Sequence, residues 1–366
     1  MAQLTYCSNI HPGERWADVM HNLRSHALEV KHQLNSSAPF PLGLRIAHQA
    51  SQEADTNAIA EFRAWCEQHN CYLLTINGFP YGTFHNNRVK EQVYLPDWRQ
   101  RERVEYSKRL GDLAVQLEPN AKRISISTVP VAFKPAFNNE WDIACAHILE
   151  VAEHYHQLHQ QTGILLVLSL EPEPICVLET TAEAIAFFKR LDLPERLHGY
   201  VGLCFDCCHQ AVEFEQPQQS LQQLADANIP IGKVQVSSAL KAHGDNISQL
   251  LTFDESVYLH QAVARCQRSG ELHRFTDLPD LQLALQQGQR FDECRVHFHV
   301  PIFLQQLGEC GTTQDFLCEL LPLLGKDIPL EVETYSFAAI PEHLRTDTVS
   351  ESIARELQWV KTLLDH

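Results

Sequence analysis

Apolar positions along the chain follow two alternating rhythms. Short aliphatic or β-branched runs occur at Leu4 to Asn9, Leu42 to Ala47, Tyr72 to Asn77, Arg123 to Val129, Leu165 to Glu171, Val201 to Asp206, Lys233 to Ser237 and Leu330 to Thr334. Each is continuous and brief, as expected of a strand buried on both faces. Between them lie segments of amphipathic, helical period at Trp16 to Leu34, Asn57 to Gln68, Pro96 to Leu117, Glu140 to Gln161, Ala182 to Leu191, Gln218 to Ala227, Gln314 to Leu324 and Glu351 to Leu364. Start signals open several of them: Pro96-Asp97, Asn138-Asn139-Glu140 and Thr312-Thr313-Gln314-Asp315. Strand and helix in strict alternation predict parallel strands with helical crossovers, and eight such strands close a barrel. The expected fold is α/β, a (β/α)8 TIM barrel. An open doubly wound sheet is the runner-up, but no GxGxxG or GxxxxGK[ST] turn follows any strand.

The alternation breaks once. After the seventh strand, an insertion of approximately residues 239–294 contains helical patches near Ser256 to Cys266 and Leu281 to Gln287, then the extended run CRVHFHVPIF. Insertions of this size at a strand-to-helix position are lids, binding loops or surface embellishments. A chain of 366 residues suits one barrel domain carrying such an insertion.

Charge narrows the partners. Twenty-nine basic against 46 acidic residues give a formal charge of −17, which repels nucleic acid and anionic membranes. The start, MAQLTYCSNIHPGERW, has no signal-like apolar core, and no run approaches the ~18 apolar residues of a spanning helix. A cytoplasmic protein without direct membrane insertion is expected. Twelve cysteines are scattered through apolar segments and read as reduced, buried thiols. Cys204 and Cys207 form a CxxC, with no second pair to complete a zinc site.

The chemistry collects at strand ends. Four buried strands finish with a potential metal ligand: Glu171 in LSLEPEP, Asp206 in GLCFDCCHQ, Gln235 in KVQVSS and Glu333 in LEVETYSF. Side-chain alternation sends all four inward, with Ser169, Cys204, Lys233 and Glu331 one layer below, while Leu170, Phe205, Val236 and Val332 face helices. Lys233 and Glu331 are expected to pair, leaving the upper carboxylates without a counter-charge. Three carboxylates at one barrel mouth repel one another unless a cation neutralises them. Their hard oxygens favour a divalent Mn²⁺ or Mg²⁺, and an imidazole partner would admit Zn²⁺, Co²⁺ or Fe²⁺.

These residues carry a resemblance. CFDCCHQAV has the Asp-x-x-His of the xylose-isomerase-like barrels, in which a strand-five Glu, this Asp, a strand-seven His or Gln and a strand-eight Glu hold the metal. The resemblance implies Glu171, Asp206, Gln235 and Glu333 as ligands, with His209 beside a second metal or the substrate. Gln235 looks more like the hydroxypyruvate-isomerase branch than the endonuclease branch, which has His there. Over almost the whole chain, TYCSNIHPGE, TINGFPYGTFH, SISTVP, LEPEP, CFDCCH, QVSSAL, HFHVPIF and LEVETYSF resemble the EboE family of metabolite traffic proteins, encoded beside a UbiA-like membrane protein. That implies a role in moving a precursor metabolite across the inner membrane, with the membrane protein as a partner.

The expectation is a metal-dependent isomerase or epimerase acting on a small hydroxycarbonyl metabolite by enediolate proton transfer. Glu171, Glu333 and His209 would be catalytic, and His11, His48, Asn77, Glu173, His297 and His299 would contact substrate. Asn9 and His85 also stand near strand ends, and Lys134 offers an anion contact. The alternative is a metabolite-binding and handover protein without turnover, supporting export to the periplasm. Phosphodiester hydrolysis is disfavoured by the acidic charge and by Gln235.

Overall fold

The computed structural model describes residues 3–35, 37–85, 89–266 and 268–365. Eight parallel strands form one sheet: β1 (Leu4–Tyr6), β2 (Phe40–Arg45), β3 (Cys71–Asn77), β4 (Arg123–Thr128), β5 (Leu165–Leu170), β6 (Val201–Asp206), β7 (Ile231–Val236) and β14 (Leu330–Val332), in the order β1-β14-β7-β6-β5-β4-β3-β2. A parallel bridge between Cys7 and Gly43 brings the two ends of the sheet together, so the barrel is nearly closed. Gly43 is needed at this seam: a Cβ there would lie 2.6 Å from the Tyr6 carbonyl and 2.9 Å from a Glu331 carboxylate oxygen. All eight strands lie where the apolar runs predict them.

Helices cover the strands and are set by local signals. Thr180 and Glu183 form a reciprocal capping box that starts the helix Thr181–Leu191, and Gly163, at φ +77°, ends the helix Trp141–Thr162. Outward-facing Leu170, Phe205, Val236 and Val332 are buried against this layer.

The insertion is larger than the sequence pattern indicates. It forms an antiparallel six-stranded sheet in the order β10-β9-β11-β8-β13-β12, from β8 (Ser238–His243), β9 (Ala262–Arg265), β10 (Leu272–Phe275), β11 (Glu293–Val300), β12 (Gln306–Leu307) and β13 (Cys310–Thr312). It therefore spans 238–312 rather than 239–294, because CRVHFHV pairs with β8 and β9 instead of returning to the barrel. The expected helical patch at Ser256 to Cys266 is also corrected: Ala262–Arg265 is a strand, held between β10 and β11. These are non-local contacts that override the helix preference of its alanines. The helix Leu278–Gln286 lies where the second patch was expected.

All twelve cysteines are free, and Cys204 and Cys207 are buried; the expectation of burial fails for Cys71, Cys145 and Cys266, which are half-buried, and for Cys318, which is exposed. No helix among the described residues is long and apolar enough to cross a membrane.

Candidate functional site: an acidic barrel mouth beside three imidazoles

Strand register builds the site. Gln235 on β7 lies opposite Asp206 on β6 and Glu331 on β14, while Glu171 and Glu333 follow immediately after β5 and β14. Carboxylate oxygens of Glu171, Asp206 and Glu333 all lie within 4.8 Å of one another, and all three residues are buried. One layer below, Lys233 Nζ donates to Glu331 Oε1 at 2.9 Å, and Ser125 and Ser169 share a hydrogen bond of 2.8 Å. The expected structural ion pair is thus present, and it leaves the upper layer without a lysine or arginine partner among the described residues.

Neutral donors hold the upper carboxylates. Glu333 Oε1 accepts from Asn9 Nδ2 at 2.8 Å, Asn77 Nδ2 at 3.2 Å and Gln235 Nε2 at 3.2 Å. Asp206 Oδ1 accepts from Ser237 Oγ at 2.8 Å and from the His209 backbone N–H at 2.9 Å. Four oxygens of this site are then left buried with no protein partner: Asn9 Oδ1, Glu171 Oε2, Asp206 Oδ2 and Gln235 Oε1. Native interiors rarely leave such groups unsatisfied, so these orphans mark a place for a ligand the chain alone does not supply.

The electrostatics agree with that reading. Burial, and then the neighbouring Asp206 carboxylate, push Glu171 up to about 8. Burial, then Glu171, push Glu333 well above the ordinary carboxylate range. Burial acts on Asp206 in the same sense, but His209, His299 and its two donors outweigh it and hold this acid low. Without a cation the site cannot keep all three acids ionised; with one it can.

A wall of imidazoles stands beside the acids. His209 Nε2 lies 3.0 Å from His297 Nε2, which lies 3.1 Å from His299 Nε2. The opposite ring nitrogens fix the tautomers, because His209 Nδ1 faces the Pro172 carbonyl at 2.8 Å, His297 Nδ1 faces Gln261 Oε1 at 2.8 Å and His299 Nδ1 faces the Glu333 carbonyl at 2.9 Å. Each Nδ1 is therefore the N–H donor, and three Nε2 lone pairs converge. Such a meeting needs a cation, either a proton on one ring or a metal. His297 and His299 share one face of β11 at a register shift between Val296 and Val300, and the bulge aims both rings at the mouth while Phe298 packs 5.3 Å from Phe253 in the insertion.

The sequence-predicted residues separate into two groups. Glu171, Asp206, Gln235, Glu333, His209, Asn77, Glu173, His297 and His299 come together at the mouth. His11 and His48 do not reach it. The turn Ser8–Ile10 directs Asn9 inward, while the His11 ring bonds Tyr6 Oη and stacks on His26 at 4.2 Å. His48 begins the helix His48–Glu53 and stacks on Tyr81 at 4.3 Å. Lys134 is no anion contact either, since Glu179 and Glu183 already neutralise it.

Several contributors carry no obvious signal in the sequence. Tyr94 Oη donates to Glu173 Oε1 at 2.7 Å, and Gln261 Nε2 donates to the same oxygen at 3.0 Å while its Oε1 receives His297. Tyr335 Oη bonds His297 Nε2 at 3.1 Å. Tyr335 opens the 3-10 helix Tyr335–Ala339 beyond the strand, where side-chain alternation no longer gives direction. Above the acids is a cavity of about 50 Å³; among its lining residues, Val89 and Lys90 both donate their N–H groups to the Val257 carbonyl.

Barrel and site together define a class of protein. The model of the xylose isomerase-like TIM barrel family matches residues 41–269, and the chain belongs to that family. A search of curated proteins finds none that matches. Among solved structures, the fold is similar to a xylose isomerase-like TIM barrel protein from Mycobacterium smegmatis in complex with magnesium, at 13% identity and TM-score 0.56, covering 100% of this chain and 97% of that one. It is also similar to a xylose isomerase domain protein from Planctomyces limnophilus, at 14% identity and TM-score 0.52, covering 92% and 90%. A third is D-psicose 3-epimerase with D-tagatose from Clostridium cellulolyticum, at 14% identity and TM-score 0.51, covering 100% and 98%.

Proposed function

We propose that this protein is a divalent-metal-dependent isomerase or epimerase, converting a small hydroxycarbonyl metabolite through an enediolate of the substrate. The observation that carries the reading is the set of orphaned, buried oxygens on Glu171, Asp206 and Gln235, converging with Glu333. Glu171, Asp206, Gln235 and Glu333 would hold the cation, and their hard oxygens favour Mn²⁺ or Mg²⁺. The adjoining His209, His297 and His299 suit a second ion and would admit Zn²⁺, Co²⁺ or Fe²⁺ there. A bound cation supplies Lewis acidity to the C–H between adjacent carbonyl and hydroxyl oxygens.

The chain's own groups do the rest. Glu171 and Glu333 take a proton from one face of the substrate and return it on the other. Asn9 and Asn77 tether Glu333 through Oε1, leaving Oε2 to carry the proton. His209, anchored through Nδ1 by the Pro172 carbonyl, presents Nε2 to the substrate oxygens. Glu173, held by Tyr94 and Gln261, orients that wall. The likeness to an epimerase structure supports this reaction class, and the likeness to EboE proteins supports a place in metabolite traffic, in the cytoplasm beside a UbiA-like membrane protein.

The test is exchange of substrate C–H with deuterated water over a panel of hydroxyketones and the Mn²⁺-loaded protein, followed by proton NMR. Exchange is expected in the wild type, and Glu171→Gln or Glu333→Gln should lower it at least ~10³-fold. The alternative reading, a handover protein, predicts tight ligand retention with no exchange in any member of the panel.

A further inference from the structure

Apart from the acids and imidazoles of the mouth and their neighbours Asn9, Asn77 and Glu173, the described cavity lining is largely apolar: Phe79, Pro80, Phe84, Val89, Val93 and Leu259. Three tyrosines also line the cavity, each with its phenol proton already given to a protein acceptor. Tyr94 donates to Glu173, Tyr258 bonds His85 Nδ1 at 2.6 Å and Tyr335 bonds His297. Their rings are what a ligand meets, and Phe84, Tyr258 and Tyr335 pack as a mutual cluster with centroids 5.1 to 5.3 Å apart. Lys90 is the one cation among the described lining residues, and its Nζ is taken by Asp277 and the Glu255 carbonyl.

Accepting the hydroxycarbonyl reading above, we infer that the substrate is a neutral hydroxycarbonyl compound carrying a planar apolar ring, rather than a free or phosphorylated sugar. A sugar has hydroxyls along its whole length, and those pressed among these walls would lose water without gaining partners. A phosphate would meet no unpaired lysine or arginine among the described lining residues. A ring gains from the same surfaces, by burial and by edge or offset contact with Phe84 and Tyr258. The acids then receive the oxygens of the head group while the aromatic cluster fixes which end enters first.

Binding of three α-hydroxyketones to the Mn²⁺-loaded protein, measured by calorimetry, tests this: acetoin, its phenyl counterpart phenylacetylcarbinol, and dihydroxyacetone phosphate. Phenylacetylcarbinol is expected to bind about tenfold or more tighter than acetoin, and dihydroxyacetone phosphate no tighter than acetoin. Phe84→Ala should shrink the ratio of phenylacetylcarbinol affinity to acetoin affinity. Metal-dependent binding in which acetoin equals the phenyl compound, or the phosphate binds tightest, overturns the inference and leaves the proposed reaction class standing. If none of the three binds in a Mn²⁺-dependent way, the hydroxycarbonyl reading itself fails, and this inference with it.

Discussion

Glu331 and Glu333 stand two residues apart on the same side of the same stave, both buried, and their surroundings treat them in opposite ways. Glu331 receives Lys233 at 2.9 Å, along with Thr75 and Gln235, and burial is outweighed by the Lys233 charge and the Thr75 and Lys233 hydrogen bonds, so that its pKa falls. Glu333 receives only the neutral amides of Asn9, Asn77 and Gln235 and has Glu171 and Asp206 as neighbours, and its pKa rises. Burial alone does not mark a functional acid; the missing counter-charge does. The lower layer is a closed structural pair, and the upper layer is, on the function proposed above, half of a pair whose other half would be a cation.

Removing a charge should therefore act with opposite sign in the two layers. The largest effect is expected from Lys233→Met, which leaves Glu331 buried and unpaired and should destabilise the fold by about 3 to 5 kcal/mol in urea melts. In the metal-free protein, Glu171→Gln should do the reverse. With a folded pKa of about 8 against an ordinary 4.5, the contribution of Glu171 is fully present below the ordinary value and lost as pH rises toward 8. At pH 7, then, the glutamine variant should be more stable than wild type by something on the order of 3 kcal/mol, a gap that closes near pH 4.5. Melts at both pH values check it, and a destabilised variant would erase the distinction between the layers. Smallest is the effect of the ion itself. Mn²⁺ at ~100 times its Kd should stabilise wild type by about 2.7 kcal/mol, reversibly with chelator, and should add nothing like this to Glu171→Gln.

Much of this was legible in the residues because strand periodicity is local. Ser169 with Glu171, Lys233 with Gln235 and Glu331 with Glu333 alternate against outward apolar neighbours, so direction and layer followed from parity alone. Turns and insertions obey no such period. His11 and His48 lie just past strand ends, as Asn9 does, but a single turn of chain decides which side chain enters the barrel. The run Ser256 to Cys266 read as helix, which hid Tyr258 and Gln261; only pairing with distant β11 makes Ala262–Arg265 a strand. His297 and His299 could be assigned to one face, yet the bulge that aims them exists only in the paired sheet.

Anomalous diffraction from crystals soaked in Mn²⁺ tests the central claim most directly. The expected result is a peak bonded at about 2.0 to 2.6 Å to oxygens of Glu171, Asp206, Gln235 and Glu333. A map with no peak among these four, their oxygens instead satisfied by water or by one another, would contradict it.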